Sequence, residues 1–111
     1  MRIKNKVSIV LLALVIGAGT AGSASALTYS GSRYGSYITT SGPYLSLTDN
    51  KADSQFPIAN YLYDGGVSQG GIANKSGYNT TVSTTAPSAI TAIQPCVSRT
   101  ALPADCGGWI Y

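Results

Sequence analysis

The residues of this chain best suited to chemistry sit near its end, in CVSRTALPADC, where Cys96 and Cys106 enclose Arg99. As free thiols the two cysteines could act as nucleophiles or hold a soft metal; joined to each other they do neither. No histidine occurs among the 111 residues. The usual proton acceptor near neutral pH is therefore missing, and serine or cysteine nucleophiles activated by imidazole are excluded. Zinc, copper and iron lose their commonest ligand at the same stroke. The carboxylates are four scattered aspartates, Asp49, Asp53, Asp64 and Asp105, with no glutamate beside them. A Ser76–Lys75 dyad places its members at adjacent positions, which point to opposite faces of a strand. Asp49, Asn50 and Asp53 in TDNKAD are the one metal option, for calcium, because calcium needs only oxygen ligands. Their spacing is not that of an EF-hand, and turn or capping roles account for the same residues. No catalytic residue and no cofactor is expected: this chemistry points to binding, not to an enzyme.

Two sets of residues suit recognition. Between the cysteines, Ser98, Arg99 and Thr100 could form a displayed loop aimed at a serine protease, with rigidity lowering the ordering cost of binding. The competing reading makes the disulfide a staple that ties the terminal GGWIY to the strand before Cys96. It accounts for both cysteines and for the aromatic end, whereas display accounts for Arg99 alone. The second set is Tyr29, Tyr34, Tyr37 and Tyr44, close together among glycine and serine. Tyrosine offers a large face at low entropic cost, so such a cluster could bind sugar or protein.

The start of the chain bears on where this binding takes place. MRIKNK carries Arg2, Lys4 and Lys6, an apolar run VSIVLLALVIGA follows, and small residues lead to Ala24-Ser25-Ala26. Basic head, short apolar middle and small-residue end predict a secretory signal peptide over 1–26, cleaved after Ala26. The run is shorter than the ~20 apolar residues a membrane span requires, so no anchor remains after cleavage. Residues 27–111 are then expected to form one secreted, extracellular domain. The formal charge of +3 comes from the three basic residues of the leader, because beyond it Arg33, Lys51, Lys75 and Arg99 balance the four aspartates. Nucleic acid is thus not indicated as a partner. Export also allows the cysteines to pair, closing a loop that contributes about 2.7 kcal/mol in the chain-entropy model.

The elements that position these residues read as strands. The exported part is rich in threonine, serine, glycine and tyrosine, and turn signals recur at Ser41-Gly42-Pro43, Asp64-Gly65-Gly66, Gly70-Gly71, Ser76-Gly77 and Gly107-Gly108. Short runs between frequent turns predict an all-β fold, a small antiparallel sandwich or Greek-key-like domain with one disulfide. Strands are expected at 34–39, 44–48, 58–63, 71–74, 80–84, 89–94 and 109–111. Leu45 and Leu47 share one face, and the strand around Val82 has a wet face or an edge position. A helical turn capped by Asp49 and stopped by Pro57 is expected in TDNKADSQF, and 27–33 as a loose arm.

Four resemblances follow from particular stretches. CVSRTALPADC loosely resembles the braced loop of Bowman–Birk-type inhibitors, which implies Arg99 as the protease-directed contact. The leader with LSLTDNKAD, NKSGYNTTVS, SAITAIQPC and ADCGGW resembles short exported proteins of Gram-positive, actinomycete-type bacteria. Tyr63 to Gly70 with the ITAI strand is similar to half of a βγ-crystallin Greek key, which implies that fold; TTAPSA lacks the acidic or amide pair of its calcium signature. The tyrosine- and glycine-rich start is faintly similar to lactococcin-type bacteriocins, implying an antibacterial role. The expected function is extracellular binding, with a protein or a cell-wall glycan as partner; a protease inhibitor and an exported antibacterial protein are the alternatives.

Overall fold

The computed structural model describes residues 26–111, so the expected leader lies outside the described residues except for Ala26. Among these residues eight strands form two antiparallel sheets packed as a sandwich. The first sheet has the order β1 (Thr28–Gly31), β2 (Ser36–Ser41), β3 (Tyr44–Asp49) and β6 (Thr81–Thr85). The second has the order β5 (Ser68–Ala73), β4 (Pro57–Tyr63), β7 (Ala92–Arg99) and β8 (Leu102–Cys106). The chain crosses between sheets after β3, β5 and β6, by way of loops at both ends of the sandwich. No helix among the described residues is long and apolar enough to cross a membrane.

Alternation decides what each strand buries. Ile38, Leu45 and Leu47 point inward from the first sheet, and Ala59, Tyr61 and Ile93 from the second. Leu27, Ala86 and Ile90 complete this small core, with Tyr29, Tyr63, Ile72, Val82 and Ile110 packed against it half-buried. The shared face expected for Leu45 and Leu47 is the core face, and the strand around Val82 is an edge strand. Tyr61 faces Gly70 across the β4–β5 pair, and a Cβ there would stand 2.6 Å from the ring. The glycine leaves the space that the tyrosine fills. At the β2–β3 turn, Gly42 adopts φ +60°, a conformation that glycine reaches without steric cost.

Several expectations are corrected. Residues 28–31 are not a loose arm but strand β1, registered against β2 from Thr28↔Thr39 to Gly31↔Ser36. No helical turn follows Asp49: this residue ends β3, its Oδ1 accepts the Lys51 N–H, and Pro57 opens β4. The helical turn among the described residues is a short 3-10 segment at Asp64–Gly66. Strand β8 was not expected, and the terminal GGWIY contributes a single bridge, Ile110 to Ile93. Pro95 explains why the outer edge of β7 is shared in this way. It has no N–H to donate midway along the strand, so β8 ends at Cys106 and pairing resumes at Ile110.

Candidate ligand site at the loop end of the sandwich

The predicted recognition residues are dispersed. The β7–β8 hairpin brings Cys96 directly opposite Cys106, and the two are joined as a disulfide. At its tip Thr100 and Ala101 make a two-residue turn, so the backbone is not extended beyond Arg99. The Arg99 Nε–H donates to the Pro103 carbonyl of its own hairpin. Ser98 turns away from the tip at a register shift and exchanges two hydrogen bonds with Phe56: Phe56 N–H to Ser98 Oγ and Ser98 N–H to Phe56 O. Of the three residues expected on a displayed loop, one is thus a tie to another loop and another sits in the turn. The geometry is that of a clasped hairpin.

The four tyrosines do not form one face. Tyr29 points inward onto the core and Tyr34 is buried, with their rings 6.2 Å apart. Tyr34 accepts a hydrogen bond from Arg33 Nε, and Arg33 lies 3.6 Å from Asp105, so this cluster fastens the β1–β2 turn to β8. The hydrogen bond to Tyr34, then the charges of Tyr34 and Asp105, raise the Arg33 pKa above the usual arginine range. Tyr37 and Tyr44 stand on the outer face of the first sheet among Thr39, Ser46 and Thr48. Strand parity makes the division, since β1 places Tyr29 on the inner side opposite Ile38.

Of the residues of the calcium option, Asp49 and Asp53 line one cleft, and each also closes a local turn. Asp49 Oδ1 accepts the Lys51 N–H and Asp53 Oδ1 accepts the Gln55 N–H, each closing a turn two residues on. Asn50 is exposed. Among the described residues no three histidine, cysteine or acidic side chains come together to hold a metal.

What the fold does build is a cleft of about 230 Å³ between the loop after β3 and the loop after β5. Asp49 and Asn74 form part of its wall, Gln55 and Phe56 another, and Lys75 and Tyr78 stand beside them. Asn74 is fully buried and organises its loop. Its Nδ2 donates to the carbonyls of Leu47 and Thr80, and its Oδ1 accepts from Ser76 N–H and Thr80 Oγ1. Asp49 is only 4% exposed. A carboxylate withdrawn this far from water is costly unless partners replace the lost hydration. Among the described residues, the Lys51 N–H is the one donor to its side chain and no cation stands within salt-bridge distance. Its second oxygen has no donor among the described residues.

Two aromatic side chains line the same cleft. Phe56 is half-buried and carries the Lys75 ammonium 5.0 Å above its centroid. Tyr78 is 53% exposed. The cleft therefore brings together two aromatic side chains, a nearly buried carboxylate and a lysine ammonium. Neither loop signalled this by itself, because the residues that meet are about 25 positions apart in sequence. The Asn74 and Asn79 tripeptides match glycosylation sequons, but Asn74 has no accessible surface for a glycan.

No protein-family model, no curated protein and no solved structure matches this chain.

Proposed function

We propose that this protein is exported and acts outside the cell by binding a polyhydroxylated ligand, a sugar ring of a cell-wall glycan, in the cleft between the β3 and β5 loops. The observation that carries the proposal is the buried Asp49 carboxylate, short of donors, beside exposed Tyr78. Sugars satisfy both needs at once: hydroxyls donate to a carboxylate, and the apolar face of the ring lies on an aromatic side chain. At about 230 Å³ the cleft is smaller than the ~300–1,000 Å³ pockets that enclose drug-sized ligands, so it suits one ring of a longer chain. The disulfide supports a life in an oxidising compartment, as does the leader-like sequence before residue 27.

Co-sedimentation with purified insoluble peptidoglycan and with chitin tests this reading. Retention on one of the two is expected, and Tyr78→Ala should weaken it about tenfold, the equivalent of ~1.4 kcal/mol. Tyr37→Ala, on the far sheet face, should leave it unchanged. No retention on either polymer, or equal loss in both variants, contradicts the proposal.

A further inference from the structure

Each sheet of an open sandwich leaves two edges, and natural edges are usually blunted against pairing with another chain. Two of the four edges here carry such a feature, and a third is weakened by glycine. β1 is four residues long and ends in Gly31, β5 carries Gly70 and Gly71, and β8 carries Pro103 and Asp105. The fourth, β6, reads TVSTT over Thr81–Thr85, without charge, proline, glycine or bulge.

The pairing with β3 fixes which backbone groups of β6 remain free. Asp49 N–H donates to Thr80 O and Ala86 N–H donates to Pro43 O. Antiparallel ladders alternate, so Val82 and Thr84 spend their backbone groups on β3, whereas Thr81, Ser83 and Thr85 direct theirs to the open side. Val82 packs half-buried against the core from the inner face of the same edge.

We infer that β6 is a homodimer edge, pairing antiparallel with β6 of a second copy about a two-fold axis at Ser83. In that register Ser83 faces its own mate and Thr81 of each copy faces Thr85 of the other. All the outward N–H and C=O groups are then used, about six hydrogen bonds across the axis. The second copy is the occupant that fits for two reasons. The edge is self-complementary in this register, and it is uncharged, so two copies meet there without like-charge repulsion. Val82 of each chain then lies opposite Thr84 of the other, which covers an apolar side chain at the rim of the core. Joining along one strand buries less than the ~1,200 Å² of a lasting interface, so the dimer is weak and concentration-dependent. It makes one eight-stranded sheet whose outer face is lined with serine, threonine and the exposed Tyr37 and Tyr44 of each copy.

Sedimentation velocity on the disulfide-intact protein, from about 10 μM to about 1 mM, tests the inference. The expected result is a shift from monomer to dimer mass, with slower amide exchange at Thr81, Ser83 and Thr85 as concentration rises. Ser83→Pro removes an N–H that β3 does not use, and it should remain monomeric. Should that variant lose its strand circular dichroism, Ser83→Lys serves in its place with the same expectation. A single monomer mass throughout, association without protection at those three amides, or association unchanged in the substituted protein would overturn it.

Discussion

Asn74 shows how much of this site depends on a single carboxamide. It is fully buried, and its two polar atoms serve four groups drawn from β3 and from its own loop. Asn74→Ala leaves two carbonyls and two donors without that partner, and should cost about 3 kcal/mol in urea unfolding. A loss under about 1 kcal/mol would show that water replaces the side chain and that the loop is not held from within. Asp49 was legible in the sequence as a turn-forming residue, because aspartate two positions before an exposed N–H is a local pattern. The role of Asn74 was not, since its carbonyl partner Leu47 lies 27 residues away. The tyrosines illustrate the same limit. Their types are visible in sequence, but the inward side of Tyr29 follows from the parity of β1, which a loose arm does not have.

At the scale of elements, the β7–β8 hairpin links the sulfur chemistry to the cleft. Cys96–Cys106 clasps its base, Ser98 sits between base and tip, and the two bonds from Ser98 hold Phe56 in the cleft wall. Asn60 and Gln94 extend the support on the outer face, with Gln94 Nε2 donating to Gly107 O just past the disulfide. The double variant Cys96→Ala/Cys106→Ala should lose about 3 kcal/mol of stability. Its Phe56 amide should also exchange faster than the amides of β2 and β3, measured by hydrogen exchange. Uniform exchange across both sheets would place the effect in global stability alone. That the cysteines pair was readable from their number and setting. That they clasp a hairpin was not, because β8 contains Pro103 and none of the β-branched and aromatic types that mark strands.

At the scale of the whole molecule, frequent turns and scarce helix formers made the two-sheet architecture legible, and the leucines of β3 identified its inner face. The meeting of the β3 and β5 loops was not legible, because it follows from how three crossovers thread the sheets. The sandwich confines its charge to few positions and leaves one cleft wall with an acid deep in the protein and short of donors. The binding account rests on that acid and its aromatic neighbours. Amide chemical shifts of the folded, disulfide-intact protein, followed while a soluble β-linked N-acetylglucosamine disaccharide is added to about 10 mM, address it most directly. The account predicts saturable shifts at Lys51, Phe56, Lys75, Gly77 and Tyr78, with Tyr37 and Tyr44 unmoved. Shifts confined to the outer face of the first sheet, or none at any residue, would contradict it.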